Sequence, residues 1–317
     1  MKLQIVISNQ TNPYKNIAVE NYLLSLAESE VITMYLWKNH KTVVIGQNQN
    51  PFSECNVSSL LQDNGYLMRR KTGGGAVYHD DGNINFSFIV PKDLYDLNKQ
   101  FSVLQEAVRQ YGLTVEVSGR NDLLCEGRKF SGNAFSKAKY QYLHHGTILI
   151  KGNVEDMKKY LLVKPSKLQK HGVKSVQSRV VNLNELADVT SENIVPLMIK
   201  AFEKVYNGKA VETSFDSLLE KPEVQNIFNE FASEEWIFGK WRNFVSQKSR
   251  QFDWGLVEIS LDINQQENKI NNLQIATDAL DLNIIDQAKE ILTGASTLSK
   301  PSCDNSVIQD IIDLIYE

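Results

Sequence analysis

The residues best suited to chemistry are two arginines, a lysine and three glycines in residues 69–75, RRKTGGG. Glycine adopts positive φ easily and lets backbone N–H groups approach a ligand, because it carries no side chain. Guanidinium and ammonium groups beside such a loop suit a carboxylate or a phosphate. The segment predicts a site for a small anion, although a tight hairpin turn would also explain the glycines.

Neither common phosphate-binding motif fits this loop. A Walker A loop ends in Gly-Lys-Ser or Gly-Lys-Thr and runs into a helix, whereas Gly75 is followed by AVYH, which is typical of a strand. A dinucleotide-binding fingerprint has spaced glycines that open a helix. The loop is therefore predicted to connect two strands.

A second segment, residues 119–135, contains a lysine that suits an anion. Lys129 is a mobile cation of the kind that binds a phosphate or a developing oxyanion. Asn121 and Asp122 offer oxygen atoms that Mg²⁺ accepts. Taken alone, Lys129 is better explained as a solvated residue of an exposed loop.

Two later segments add histidine, serine and arginine. His144 and His145 are adjacent in a predicted strand and must point to opposite faces, so at most one faces any pocket and a two-histidine metal site is not expected. Residues 174–183, KSVQSRVVNL, supply serine and arginine donors that could serve a phosphate, but by themselves they are a weak signal.

Composition narrows the class of protein. The 317 residues carry a net charge of −4, which argues against a general nucleic-acid binder. The apolar run at the N-terminus is too short for a signal peptide, and no run approaches the length of a membrane span. The three cysteines are far apart in sequence and show no metal-ligand spacing, so we expect reduced thiols and a cytoplasmic location: Cys55, Cys125 and Cys303.

Hydrophobic periodicity predicts an α+β protein with two domains. Residues 34–37 and 43–45 are expected to form a hairpin, residues 119–133 a glycine-bearing connection, and Ser191 the N-cap of a helix over 192–206. A polar link near 246–250 predicts a first domain at 1–246 and a small α+β domain at 251–317. Other strands are predicted at 3–8, 66–70, 84–90, 114–117 and 142–150, and other helices at 15–28, 57–64, 98–111, 283–293 and 305–316. Strands joined by short turns predict a large mixed or antiparallel sheet with flanking helices in the first domain.

Taken together, the ordered segments resemble the lipoate–protein ligase A family. The resemblance rests on RRKTGGGAVYHDDGNINFSF, GRNDL, RKFSGNAF, HHGTILI and KSVQSRVVNL, with MYLWKN, TVVIG and NP before them. It covers residues 1–245 strongly and the last 70 or so more loosely. It implies the biotin/lipoate ligase-like fold. It also implies synthesis of lipoyl-AMP from lipoate (or octanoate) and ATP, then transfer to a lysine of lipoyl domains or the glycine cleavage H protein.

The resemblance also implies roles for particular residues. Lys129 would be the catalytic lysine, in contact with the acyl carbonyl and the phosphate, and Asp122 would bind Mg²⁺. Segment 172–183, with Arg179, would close over the adenylate. The remaining lipoate- and ATP-binding residues implied are Trp37, Arg70, Gly73, Gly74, Gly75, Ala76, Val77, Tyr78, His79, Asn121, Ser131, Gly132, Ala134 and His145. No tightly bound prosthetic group, nucleic acid or membrane is expected.

Several alternatives stay open from the residues themselves. Trp37 fits an ordinary core position as well as a pocket wall. Gln177 stands where many family members have arginine, which predicts weaker contact between this loop and a phosphate. Lysines between 158 and 174 could guide an acidic acceptor, although a solvated surface is the simpler interpretation. The rival functions are an ATP-independent acyltransferase that uses a cysteine thioester, for which only Cys125 lies near the site in sequence, and a non-catalytic binder of lipoyl domains.

Overall fold

The computed structural model describes residues 1–119, 122–162, 180–243 and 245–317, and eight of their strands form one mixed sheet. The strand order is β11-β1-β2-β6-β10-β9-β8-β7. Strand β1 runs parallel to β2 and β11, and the pairs from β2 to β7 are antiparallel. The strands are β1 Lys2–Ile7, β2 Val31–Trp37, β6 Asn83–Pro91, β7 Val115–Ser118, β8 Asp122–Cys125, β9 Arg128–Lys137, β10 Gln141–Leu149 and β11 Ala210–Ser214. The predicted large mixed sheet is confirmed.

A second sheet of three strands is built from β3 Thr42–Ile45, β4 Tyr66–Arg69 and β5 Val77–His79, in the order β4-β3-β5. The predicted hairpin between residues 34–37 and 43–45 is therefore wrong, because β2 and β3 belong to different sheets. Asn16 Nδ2 donates to Lys38 O at 2.7 Å and to Asn39 Oδ1 at 3.1 Å. These bonds hold the short connection against the first helix and direct β3 away from β2.

Helices cover the sheets and connect the parallel strands. Asn12 caps the first helix through its side chain, and Thr190, rather than the predicted Ser191, caps the helix that ends before Asn207. The helices within the described residues are α1 Pro13–Ser25, α2 Pro51–Glu54, α3 Val57–Gln62, α4 Leu97–Arg109, α5 Val154–Tyr160, α6 Ser191–Tyr206, α7 Phe215–Leu219, α8 Pro222–Ala232, α9 Glu234–Phe238, α10 Asn283–Leu292 and α11 Ser306–Tyr316. None of them is long and apolar enough to cross a membrane.

Residues 122–133 form a hairpin rather than the predicted connection. Strands β8 and β9 meet at Glu126 and Gly127, which both have positive φ, 51° and 72°. Two successive residues with positive φ are the signature of a type I′ turn, which matches the twist of antiparallel strands. Lys129 consequently lies on a strand, where the sheet fixes its backbone.

Strand β6 is the centre of the main sheet and is buried on both faces. Ile84, Phe86, Phe88 and Val90 join one core cluster with α4 and α6, as their alternation predicts. The opposite face of β6 presents Asn85, Ser87 and Ile89 toward the second sheet. A polar row inside a buried strand marks a place where the molecule binds something or satisfies its own polar groups.

The C-terminal residues form a smaller unit with its own core. Strands β12 Lys248–Gln251, β13 Leu256–Asn264 and β14 Lys269–Thr277 form a three-stranded sheet covered by α10 and α11. Most of the predicted polar link at 246–250 is therefore strand β12. The unit contacts the glycine loop: Gly74 N donates to Ala279 O at 3.2 Å, and Thr277 N donates to Asn48 O at 2.9 Å.

We expect Asn16→Ala to destabilise the fold strongly. Asn16 is fully buried, and its amide bonds the connection between the two sheets. Removing it leaves buried carbonyl groups without donors, at a cost of about 1–3 kcal/mol for each lost partner. Urea unfolding would measure the loss. Asn21→Ala on the same helix removes only a bond to Ile17 O and should change the free energy of unfolding little; equal losses in the two variants would contradict this interpretation.

Candidate active site

A cavity of about 200 Å³ lies between the main sheet and the three-stranded sheet. The main sheet contributes side chains of β2, β6, β9 and β10, and the second sheet contributes β3, β4, β5 and the glycine loop. The helix α1 closes the cavity with Ile17. The site is therefore formed where two sheets face each other, which neither sheet could form alone.

Two rows of cross-strand neighbours form the floor. Ala134 and Gly132 keep the β9 side of the floor low, and Gly132 N donates to Thr147 Oγ1 at 3.3 Å. The row nearer Lys129 contains the register partners Trp37, Asn85 and Thr147. The next row contains the register partners Tyr35, Ser87, His145 and Ala134, of which His145 and Ala134 line the cavity.

Apolar side chains make the walls of the cavity a slot for a hydrocarbon chain. Ile17, Val44, Met68 and Val77 line it. The Trp37 ring also lines it while stacking on the buried Tyr35, with ring centroids 5.9 Å apart. Trp37 is therefore both a core residue and a pocket wall, so the two interpretations of its position are compatible.

The glycine loop is held by Arg70, whose side chain is buried. Arg70 Nη2 donates to Gly73 O at 2.7 Å and to Gly75 O at 2.9 Å, and Arg70 Nη1 donates to Val44 O at 3.3 Å. Burial lowers the pKa of Arg70 to about 10, and the charge of Glu20 acts in the opposite direction. Arg70 therefore stays cationic at neutral pH while it fixes the curvature of the loop, a use the sequence analysis did not predict.

Arg69 plays the same part for the neighbouring segments. Its guanidinium donates to the carbonyl oxygens of residues 46, 47, 49, 236 and 237 at 2.7–3.2 Å. Burial lowers its pKa to about 9. Lys71 is half exposed and lies 4.9 Å from the centroid of the Phe231 ring. Of the three cations in RRK, only Arg70 lines the cavity.

Lys129 stands at the edge of the cavity on β9. Its Nζ lies 2.7 Å from Asp122 Oδ1, and both side chains are about a third exposed. The backbone of Lys129 accepts a hydrogen bond from Val181 N at 2.9 Å. The backbone of Lys129 is thereby fixed by the sheet and by Val181, while its flexible cation reaches the cavity.

His145 is the histidine of the pair that faces the cavity, and His144 packs on the other face against Phe86 and Phe88, as the alternation predicts. Burial depresses the pKa of His144 well below its ordinary value. His145 contacts Glu20 Oε1 through Nδ1 at 2.9 Å and Thr72 Oγ1 through Nε2 at 2.9 Å. Its ring orientation is therefore fixed from both sides.

His79 is buried in the cavity wall as a neutral ring. Asn39 Nδ2 lies 3.2 Å from His79 Nδ1, while Asn39 Oδ1 accepts from Asn16 Nδ2. This arrangement makes Nδ1 the acceptor and leaves the proton on Nε2. Burial, with repulsion from Arg70 and His145, lowers the pKa of His79 to about 3. The ring therefore does not charge at any physiological pH.

The structure brings most of the predicted site residues together. Those that line the cavity are Trp37, Arg70, Gly74, Gly75, Ala76, Val77, His79, Lys129, Gly132, Ala134 and His145. Asn121 and Arg179 lie outside the described residues, as does most of segment 172–183.

Four predicted residues do not line the cavity. Tyr78 points away from it between Val77 and His79, and packs on Tyr160 with ring centroids 5.6 Å apart. Gly73 faces the C-terminal unit, since a Cβ there would lie 2.4 Å from Ala279 O. Ser131 is buried beside Asn133, and Asp122 reaches the site only through Lys129.

Other lining residues escaped the sequence analysis: Ile17, Val44, Met68, Asn85, Asn133, Gly146 and Thr147. Alternation along β6 and β10 carries a signal for two of them, because Asn85 and Thr147 stand on the same faces as Ser87 and His145. The apolar members look like ordinary core residues in sequence. The side chain of Asn133 contacts His144, with Oδ1 2.7 Å from Nε2. An asparagine at this position is therefore explained by that contact rather than by the cavity.

A resident metal centre does not fit the residues near the cavity. Within the described ranges there is no group of three or more histidine, cysteine, aspartate or glutamate side chains able to hold a metal ion. Asp122 is a single carboxylate already paired with Lys129. An isolated carboxylate suits Mg²⁺ that arrives with phosphate oxygens and water rather than a protein-only site.

The apolar slot, the glycine loop and the lysine at the mouth together suit a small acid with a hydrocarbon chain. The family model for the lipoyl protein ligase A/B catalytic domain matches residues 12–203, and that for the bacterial lipoate protein ligase C-terminus matches residues 242–302. The chain is 37% identical to a lipoate-protein ligase A of Psychrobacter cryohalolentis over 92% of this chain and 88% of that protein. It belongs to the lipoate–protein ligase family and is a ligase.

Solved structures agree with this assignment of fold. P. falciparum LipL1, determined in complex with lipoate, is 28% identical, with 99% of each chain covered and a TM-score of 0.83. A bipartite lipoate protein ligase from Thermoplasma acidophilum, solved as part of an archaeal lipoylation system with its E2 lipoyl domain, is 26% identical. It covers 77% of this chain and 99% of that chain, with a TM-score of 0.66.

Because native His79 resists protonation, we expect stability to fall as the pH drops below about 6.5 toward 3. In that window the unfolded chain binds a proton that the native ring excludes, at a cost of about 1.4 kcal/mol per pH unit at most. His79→Gln should reduce the slope of unfolding free energy against pH by roughly that amount between pH 6 and 5. His40→Gln, at a half-exposed position, serves as the control. An unchanged slope in His79→Gln would contradict the neutral buried ring.

Proposed function

We propose that the protein activates lipoate with ATP to form lipoyl-AMP and pyrophosphate, and then transfers the lipoyl group to a lysine of an acceptor protein. The observation that carries the proposal is the position of Lys129 at the edge of an apolar slot that the glycine loop closes. The apolar walls suit lipoate and octanoate alike, since both acids present a hydrocarbon chain and a carboxylate.

Chemistry requires an activation step. A free carboxylate and an amine do not condense spontaneously in water, because the carboxylate must first acquire a leaving group. Bringing it against a triphosphate places two anions together, and cations must offset their repulsion. Lys129 supplies a mobile cation there. Arg70, with most of its N–H groups on the glycine loop, acts through the loop and through its charge.

In this proposal Lys129 turns from Asp122 toward the substrate. Its Nζ pairs with Asp122 in the free protein, and an anion on the substrate would draw it toward the slot. Asp122 would then be free to contact Mg²⁺ brought in with the ATP substrate, an ion that accepts carboxylate oxygens beside phosphate oxygens and water. In the second half-reaction the same ammonium stabilises charge that grows on the acyl oxygen.

The acceptor must supply a neutral lysine amine. The Thermoplasma relative is described together with its E2 lipoyl domain, which supports lipoyl domains as acceptors here. The H protein of glycine cleavage is a further proposed acceptor on the strength of the family resemblance. Because only the neutral amine attacks, transfer should accelerate as the pH rises through neutrality.

The rival cysteine mechanism has no nucleophile in the described cavity. Cys125, on β8, is buried in the same core cluster as residues of β6 and α4, and burial raises its pKa. Cys55 is buried elsewhere, and burial raises its pKa to about 12. A thioester mechanism needs an accessible thiolate, which neither position provides.

The decisive assay is lipoate-dependent exchange of labelled pyrophosphate into ATP. We expect exchange with the unaltered protein, and a loss of at least about 100-fold in Lys129→Ala, since one charged group at a developing anion contributes on that scale. Lys137→Ala, on the same strand but packed on Tyr142, is the matched control and should exchange normally. Absence of exchange in the unaltered protein would sink the proposal, and normal exchange in Lys129→Ala would overturn the role of that lysine.

The rival mechanism is tested by Cys125→Ala. We expect this variant to lipoylate an apo lipoyl domain at near-normal rates in the presence of ATP, with a modest loss of stability from the small cavity it creates. Mass spectrometry of the acceptor measures the transfer. Loss of transfer in the folded variant, together with transfer that does not require ATP, would favour the thioester mechanism.

A further inference from the structure

A relay of buried hydrogen bonds joins the floor of the acyl slot to the glycine loop. Its centre is Glu20, a carboxylate only 1% exposed. Ser87 Oγ donates to Glu20 Oε1 at 2.5 Å, and His145 Nδ1 lies 2.9 Å from the same oxygen. Trp37 Nε1 donates to Ser87 Oγ at 3.0 Å. One buried acceptor therefore orients the Trp37 indole and the His145 imidazole, which line the slot, and the Ser87 hydroxyl behind them.

The relay continues from His145 to the loop. His145 Nε2 lies 2.9 Å from Thr72 Oγ1, which also accepts from Arg70 Nε at 3.0 Å. Arg70 in turn holds Gly73 O and Gly75 O. We define the Glu20 relay as the six side chains that make these bonds: Trp37, Ser87, Glu20, His145, Thr72 and Arg70.

One assignment of protons on a neutral ring satisfies every bond. Glu20 Oε1 accepts from Ser87 Oγ, so His145 donates to the same oxygen and carries its proton on Nδ1. Nε2 then accepts a hydrogen bond from the Thr72 hydroxyl, and the Thr72 oxygen in turn accepts from Arg70 Nε. All donors point along one direction toward Glu20. In this chain of hydrogen bonds, Glu20 fixes the tautomer of His145, and that tautomer fixes the orientation of the Thr72 hydroxyl beside Arg70.

We propose that Glu20 and Thr72 are positioning residues that fix the glycine loop through His145 and Arg70. Thr72 does not line the cavity, so it can act on catalysis only through the groups it holds. The charge of Glu20 also raises the pKa of Arg70 and so opposes the lowering by burial. The catalytic consequence rests on the proposed adenylation, in which the loop receives the nucleotide.

A double-mutant cycle tests the relay. Glu20→Gln keeps the size but removes the charge, and Thr72→Val keeps the shape but removes the hydroxyl. We expect each to lower kcat/KM for MgATP in pyrophosphate exchange by about 10- to 100-fold. The double variant should be no worse than the poorer single variant, because one break already disconnects the relay. Thr72→Ser should restore activity to within about threefold, since the hydroxyl remains.

A structural role alone would give a different pattern. Lipoate affinity, measured by calorimetry without ATP, should change less than about threefold in Thr72→Val, because Thr72 is not a wall of the slot. Thr42→Val, which removes another buried hydroxyl on β3 that is bonded to His40 O, is the matched control and should keep normal exchange. Two outcomes would contradict the proposed role of the relay. One is a double variant whose loss of kcat/KM equals the product of the two single losses, and the other is a Thr72→Ser variant as poor as Thr72→Val.

A measurement that needs no turnover separates this inference from the proposed function. Amide hydrogen exchange of the peptide that covers residues 73–78 should accelerate in Glu20→Gln and Thr72→Val, and stay unchanged in Thr42→Val. If the unaltered protein shows no pyrophosphate exchange, the proposed function fails while this experiment still judges the relay. Unchanged protection of the loop in both variants would reject it.

Discussion

Two buried guanidinium groups, those of Arg69 and Arg70, hold together the irregular segments around the glycine loop. Glycine-rich and irregular segments lack side chains with which to pack, and their carbonyl groups need donors once they are buried. Arg69 donates hydrogen bonds to carbonyl groups of the 46–49 segment and the 236–237 segment, and Arg70 donates to those of the glycine loop. Each arginine offers five N–H donors in a rigid plane, so two residues replace what would otherwise be several separate contacts.

The close fit around the loop follows from the same constraint. A Cβ at Gly46 would lie 2.3 Å from Gly74 O, so the two glycine-bearing segments touch backbone to backbone. Gly74 has a φ of 96°, which suits a residue without a side chain. The guanidinium of Arg70 then reaches both flanking carbonyls. The loop therefore combines a shape that glycine permits with a position that arginine enforces.

Much of the fold was predictable from local signals, and the failures have physical reasons. Alternation in β6 and β10 located the central strands and assigned the two histidines to opposite faces. The pairing of β2 and β3 was mispredicted because a short connection normally makes a hairpin, whereas here Asn16 holds that connection from α1, the preceding helix. Strands β8 and β9 were missed because glycine and charged residues obscure a hairpin whose turn needs two positive φ values.

The candidate site was predictable where a residue type is itself informative. The lysine, histidine and glycine residues of the predicted motifs are informative in this way, and most of the ones named as site residues line the cavity. Glu20 was invisible in sequence, because a glutamate on a helix is usually solvated, and only the packing of α1 against β10 brings it to His145. The anion-binding role expected of Arg70 remains a prediction, and its contacts with the loop add a structural role beside it.

The hydrogen bond from Gly74 N to Ala279 O connects the glycine loop to the C-terminal unit. Any ligand group that takes this N–H must first release the carbonyl of Ala279, so the two partners compete for one donor. If contact with the C-terminal unit weakens ligand binding by some factor, ligand binding must weaken the contact of that unit with the loop by the same factor. The measured affinity of such a ligand would include the free energy needed to break the hydrogen bond between Gly74 and Ala279. One backbone amide would thereby couple ligand binding to the position of the C-terminal unit.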